Sequence, residues 1–215
     1  MPARLRPTAS TAAAAILVGD PGRALMLAQE LLEQPKMSNH ARGLWGYTGT
    51  TARGDELTIQ STGMGGPSAS VVLADLAELG VRRAVRVGTC ASLGNLALGE
   101  LLLVSEARTP AGLLAVPDQE LTAALGGLLE GAHRGVVVSL DDLHRPERDR
   151  PSVLAEGADM QTAALLAAGE EHDVKVAALL IASERSDAGQ LRDEELEGAA
   201  KRAGAAASSV LSVST

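Results

Sequence analysis

The sequence predicts one α/β domain, residues 1–215, with a mixed central sheet flanked by helices on both sides. Three observations carry that expectation. Apolar β-rich runs alternate with helical patterns along the whole chain. The 215 residues are 46 % hydrophobic, enough to fill one core and short for two. No internal repeat, low-complexity tract or linker interrupts the alternation, and the strands end in glycine-rich turns of the kind that start crossover helices.

Ala15–Val18 reads as the first strand. The Ala-rich stretch before it, with Arg4 and Arg6, runs straight into Gly19-Asp20-Pro21-Gly22 and does not read as a signal peptide. Pro21 suits the first helical position, and residues 23–32 follow with helical periodicity. Residues 44–51 and 56–62 read as paired strands joined at Ala52-Arg53-Gly54-Asp55. The Gly63–Gly66 loop then leads into a helix over 67–79, with Val71, Val72, Leu73, Leu76 and Leu79 on its apolar side. Strands are expected over 84–88, 101–104, 113–116, 135–139 and 176–182, and helices over 120–129, 159–171 and 194–211. Residues 141–151, polar and with two prolines, read as a loop.

Composition excludes several functions. Cys90 is the only cysteine, so there is neither a disulfide framework nor a Cys-rich zinc site. His40, His133, His144 and His172 are scattered without ligand spacing, so no metal is expected. A net charge of −8 argues against nucleic acid or an anionic membrane as partner, and no run reaches the roughly 18 apolar residues of a membrane span. The cytoplasm is the expected location. Aromatics make up 1 % of the chain, Trp45 and Tyr47 with no Phe, so recognition of a ring by stacking has little to work with.

Chemistry gathers at the ends of strands. Gly19-Asp20-Pro21-Gly22-Arg23 joins helix-start amides to a guanidinium, an anion site or an ordinary turn. Gly63-Met64-Gly65-Gly66-Pro67-Ser68 lets the backbone approach a ligand closely, yet it is no nucleotide P-loop because no Lys-Ser/Thr pair follows. In Arg86-Val87-Gly88-Thr89-Cys90, a charge lies inside an apolar strand, which is costly unless it is paired. Cys90 reads as a small buried residue and not as a nucleophile. Ser183-Glu184-Arg185 follows another strand and offers a carboxyl group for acid–base work, or a solvated loop charge.

Taken in order, these segments resemble the purine nucleoside and uridine phosphorylase family of the hexameric type. The matching stretches are Gly19–Arg23, Arg42-Gly43-Leu44-Trp45-Gly46-Tyr47-Thr48-Gly49, Gly63–Ser68, Arg86–Cys90 and Ala158-Asp159-Met160-Gln161-Thr162-Ala163-Ala164. The match is close over residues 15–92 and looser beyond. The resemblance implies a mixed sheet curled toward a barrel, and phosphorolysis of a nucleoside with inorganic phosphate as co-substrate and no other cofactor. It implies that Gly19, Arg23, Arg86 and Thr89 bind phosphate, with Arg42 supplied by a neighbouring subunit of a homo-oligomer built from dimers, expected as a hexamer. Met64 and Met160 would pack on the sugar.

The resemblance also locates departures. Gln161 stands where the family has the carboxylate that grips the ribose hydroxyls, and lacks its charge. Glu184, after Ser183, stands where purine-cleaving relatives have the Asp that protonates the leaving base. Leu143 or His144 replaces a stacking aromatic. The uracil-reading Gln/Arg pair of uridine-cleaving relatives has no counterpart. Glu184 and Arg86 are therefore the expected catalytic residues, and Met64, Met160, Gln161, Leu143 and Ser183 the expected nucleoside contacts, with purine favoured. The alternatives are a phosphate- or nucleoside-binding paralogue with altered catalysis, and a nucleosidase that uses water.

Overall fold

A computed structural model describes residues 4–143 and 154–212. Its chain order is β1 (Ala14–Val18), α1 (Pro21–Leu31), β2 (Leu32–Asn39), a 3₁₀ turn (Ala41–Gly43), β3 (Gly46–Thr51), β4 (Glu56–Ser61), α2 (Gly66–Glu78), β5 (Arg83–Ser92), β6 (Leu101–Arg108), β7 (Leu114–Ala115), α3 (Gln119–Leu128), β8 (His133–Ser139), β9 (Gly157–Asp159), α4 (Thr162–Glu171), β10 (Lys175–Arg185), β11 (Gly189–Gln190) and α5 (Asp193–Leu211). The mixed α/β architecture is the one expected.

The sheet closes on itself through β5, β10, β6, β8 and β9, then continues from β5 through β1, β4 and β3 to the edge strand β2. The result is a five-stranded barrel with an open wing. β5 is the seam. Arg83–Arg86 pair in parallel with β1, Ala91–Ser92 pair antiparallel with β9, and β10 runs along the other side from Arg83 to Ser92. Residues 87–90 thus lie where β5 leaves β1 and has not yet met β9. Open α/β sheets place ligands at such a divergence, beyond the carboxyl ends of the strands.

The core is aliphatic. One cluster centres on Leu17, Leu73, Leu76, Leu102 and Leu180, and another on Ile16, Leu27, Ile59, Leu103 and Leu179. Small residues replace the missing aromatics by letting elements approach closely. Ala203 and Ala207 of α5 are fully buried, and a Cβ at Gly204 would lie 2.6 Å from Leu27 Cδ2 of α1. Each Leu so buried contributes about 1.5–3 kcal/mol relative to exposure. Trp45 and Tyr47 pack into the second cluster.

Several boundaries differ from expectation. β2 was not expected at all: its sequence is polar, contains Pro35, and pairs with β3 through two irregularities, as suits an edge strand. β9, three residues long, carries too short a pattern to read. α4 begins at Thr162 and not at Asp159, which belongs to β9. Thr89, Ser183 and Glu184 lie inside strands, because β5 and β10 run further than their apolar stretches, while Arg86 lies inside its strand as expected.

Candidate active site

A cavity of about 340 Å³ opens where β1 and β4 end and β5 continues. Its walls bring together Gly19, Arg23, Met64, Arg86, Thr89, Leu143, Met160 and Gln161, eight of the residues expected from sequence. His144 lies outside the described residues.

Arg86 is the centre. It is 4 % exposed, and its guanidinium is tied on three sides. Nη2 donates to Asp159 Oδ2 at 2.9 Å, Nη1 to Gln161 Oε1 at 2.7 Å, and Nε to Thr162 Oγ1 at 3.0 Å. Asp159 in turn accepts from Thr162 Oγ1 at 2.6 Å, from the Thr162 amide at 2.9 Å, and from Ser139 Oγ at 2.6 Å. The carboxylate therefore both neutralises Arg86 and satisfies the first amides of α4, which have no intrahelical partner. A buried charge with this set of partners is affordable, whereas either ion alone would not be. The motif supplies the space as well as the charge. A Cβ at Gly88 would lie 2.6 Å from Arg86 Nη2, so only glycine leaves room for the guanidinium.

Arg23 is different. Asp20 caps α1 by accepting from the Arg23 amide at 2.7 Å, and the half-buried Arg23 guanidinium has no hydrogen-bond partner among the described residues. Burial pulls its pKa down; nearby Asp20 opposes the shift and Arg86 adds to it. Two guanidiniums therefore face one cavity, and only one of them has a carboxylate partner. The Thr89 hydroxyl is likewise unengaged there, beside the Gly19–Pro21 turn that starts α1. Such a cluster has the chemistry of an anion cradle.

The opposite wall is the glycine loop. Gly63 (φ 72°) and Gly65 (φ 83°) adopt a conformation that side chains resist. The loop thrusts Met64 outward, 81 % exposed, over the cavity. Met160 is half-buried beside it.

Ser183 and Glu184 do not line this cavity. They lie further along the seam, where the register of β10 against β5 skips from Ala182–Cys90 to Glu184–Ala91 and leaves Ser183 as a bulge. Glu184 lines a second, polar cavity of about 360 Å³ with Ala91, Ser92, Leu93, Arg185, Ser186 and Gln190. The hairpin to β11 shapes it, with Gln190 Nε2 3.5 Å from Glu184 Oε2. Gln190 carried no signal in the sequence; only the pairing of β11 brings it here. Ser183 Oγ donates to the Cys90 carbonyl at 3.4 Å. Cys90 is buried, and desolvation, with Asp159 opposing the thiolate, pushes its pKa up to about 12, so it is no nucleophile.

Arg42 lines neither cavity. It is exposed on the 3₁₀ turn with φ 60°. The segment before β1 is held against its own domain: the amides of Arg4 and Leu5 donate to Asp75 at 2.6 and 2.7 Å, and that of Arg6 to Asn39 at 2.8 Å. Among the described residues no helix is long and apolar enough to cross a membrane.

A five-stranded barrel with an open wing and a crevice faced by two guanidiniums at its seam defines the class of α/β domain to which this chain belongs. The chain belongs to the phosphorylase superfamily, whose family model matches residues 13–213. It is 33 % identical over 180 residues to a DeoD-type purine nucleoside phosphorylase of Streptococcus uberis, covering 74 % of this chain and 76 % of that one. A DeoD-type relative from Oceanobacillus iheyensis is 44 % identical over 79 residues, a stretch spanning 33 % of its length. The fold matches a crystal structure of uridine phosphorylase from Vibrio fischeri ES114, with a TM-score of 0.81, 24 % identity, and coverage of 94 % of this chain and 91 % of that one.

Proposed function

We propose that this protein cleaves the N-glycosidic bond of a nucleoside by phosphate attack, giving the free base and a pentose 1-phosphate. The observation that carries the reading is the succession of two cavities along one strand. The cationic one lies at Arg86–Thr89 and the polar one with a carboxylate at Ala91–Leu93, and their facing ends, Thr89 and Ala91, are about 7 Å apart at the rise of a β-strand. A molecule with an anion-facing sugar at one end and a polar heterocycle at the other fits that succession.

In this reading Gly19, Arg23, Arg86 and Thr89 hold phosphate, and Arg42 of a second copy joins them in a dimer-based homo-oligomer, a hexamer by the family resemblance. Met64, Met160 and Leu143 enclose the sugar, Gln161 borders it, and Ser183 and Glu184 border the base. A phosphate oxygen bonds to the anomeric carbon as the bond to the base nitrogen breaks. That electron pair leaves with the base, and Glu184 supplies a proton to it. Arg86 and Arg23 hold the dianion against the developing positive charge on the sugar. Glu184, together with the DeoD-type relatives, favours purine. Phosphate is the co-substrate, no metal or organic cofactor takes part, and the setting is the cytoplasm.

The test is base release from inosine, adenosine, guanosine and uridine with and without phosphate. Phosphate-dependent release is expected, fastest with a purine, and no release from any of the four refutes the reading. Release that ignores phosphate would mark a nucleosidase. One observation favours a second reading, a binding protein with altered catalysis: no carboxylate stands at position 161. That reading predicts phosphate binding by calorimetry without turnover.

A further inference from the structure

Both polar atoms of the Gln161 side chain are engaged by the protein itself. Its carbonyl oxygen accepts from Arg86 Nη1 at 2.7 Å and lies 3.1 Å from Thr62 Oγ1, whose one proton is shared with the Val18 carbonyl at 3.0 Å. Its amide nitrogen has two hydrogens, which go to the carbonyls of Gly63 at 2.8 Å and Gly65 at 3.3 Å. The residue is 3 % exposed. The partners fix the orientation of the amide, because the side facing Arg86 must accept and the side facing two carbonyls must donate.

We infer that Gln161 is a positioning residue, an amide clamp that fastens the glycine loop to Arg86 and leaves no polar atom for a sugar hydroxyl. The inference rests on the proposed phosphate site and deepens it. The left-handed backbone at Gly63 and Gly65 turns their carbonyls toward Gln161, and the same amide sets one edge of the Arg86 guanidinium. Loop and cation are thereby one unit, and the loop end of the anion cradle keeps its shape before any ligand arrives. A glutamate here would keep the contact to Arg86. Its second oxygen, however, would face two carbonyl oxygens at the distances where the amide now donates, so acceptor would meet acceptor. A carboxylate at 161 would therefore open the loop and not restore a sugar contact.

The experiment compares Gln161→Glu, Gln161→Ala and wild type by three readouts. One is KM for phosphate, another the ratio of kcat/KM between the best nucleoside and its 2′-deoxy analogue, and the third amide hydrogen exchange over residues 63–66. Both variants are expected to raise the phosphate KM at least tenfold, to leave the ribo/deoxy ratio within twofold, and to speed exchange in the loop while the barrel strands stay protected. Thr62→Val removes one of the four partners without entering the cavity, and should reproduce the effects at smaller amplitude even if both Gln161 variants unfold. A tenfold change in the ribo/deoxy ratio with phosphate KM unmoved would overturn the inference. So would unaltered loop exchange in a folded Gln161→Glu protein. If wild type neither binds nor uses phosphate the proposed function fails, while loop exchange still decides for or against the clamp.

Discussion

Gly88→Ala isolates the link between the seam of the barrel and its buried cation. The new methyl carbon would lie 2.6 Å from Arg86 Nη2, 2.7 Å from Arg86 Cζ and 2.9 Å from Leu180 Cδ2, well inside the optimal separation of about 3.5–4 Å. Gly88 does not need a positive φ, so the backbone accepts alanine and the whole penalty is steric. If the core yields around a stationary guanidinium, overpacking costs about 1–3 kcal/mol. If the guanidinium moves, Asp159, only 1 % exposed, loses its counter-ion, and breaking such a pair costs about 3–5 kcal/mol. The reduced freedom of the unfolded chain returns about 0.4–1 kcal/mol. The net loss is about 0–2.5 kcal/mol if the core yields and about 2–4.5 kcal/mol if the guanidinium moves, the outcome expected here. Urea unfolding followed by the fluorescence of Trp45, the sole tryptophan, should show a midpoint lowered by about 1–2 M for a slope near 2 kcal/mol/M. Calorimetry should show weakened phosphate binding. A loss under about 1 kcal/mol, or the same loss in an Arg86→Ala background where only the contact with Leu180 remains, would refute the reasoning.

Asp159→Ala strands Arg86 and removes the acceptor for the first amides of α4, so a loss of about 3–5 kcal/mol is expected in the same unfolding assay. Cys90 should resist alkylation at pH 8 until urea unfolds the chain, because its thiol titrates at about 12; rapid labelling of native protein would contradict its burial. The sign of its pH effect follows from the raised pKa. Folding favours the neutral thiol, so its contribution is complete below the ordinary value near 9 and declines as pH rises toward 12, a slope that Cys90→Ala should reduce, leaving the part due to Tyr47, whose pKa burial also raises. Ser61 Oγ is buried without a partner among the described residues, so Ser61→Ala should leave stability unchanged or raise it by up to about 1 kcal/mol, and a clear loss would reveal a missed bond.

The sequence made most of the alternation and nearly all of the anion-facing residues legible, because glycine-rich strand ends are local signals. Arg86 was singled out as a charge in an apolar strand that needed pairing or a ligand. The structure gives it both a pair, Asp159, and a place in the cavity wall. That pair was not legible, since 73 residues separate its members and only the junction of β9 with β5 brings them together. The edge strand β2 escaped notice because its stability comes from pairing with β3 and not from an apolar pattern of its own. The second cavity depends on a bulge at Ser183 and a two-residue strand, features of register that no local composition encodes.

β5 has consequences for how this protein can change. The strand that carries Arg86 and Thr89 is held by β1, β9 and β10 in succession, so releasing it means dismantling barrel and wing together. The residues around Glu184 hang on a short hairpin at the rim, whose outer strand, β11, has no neighbour beyond it among the described residues. Substitutions around Glu184 can therefore accumulate at the rim at small cost, while substitutions around Arg86 and Thr89 are tested against the stability of the entire domain. Under the proposed function, the choice of base would then be the variable part and the grip on the anion would come with the fold.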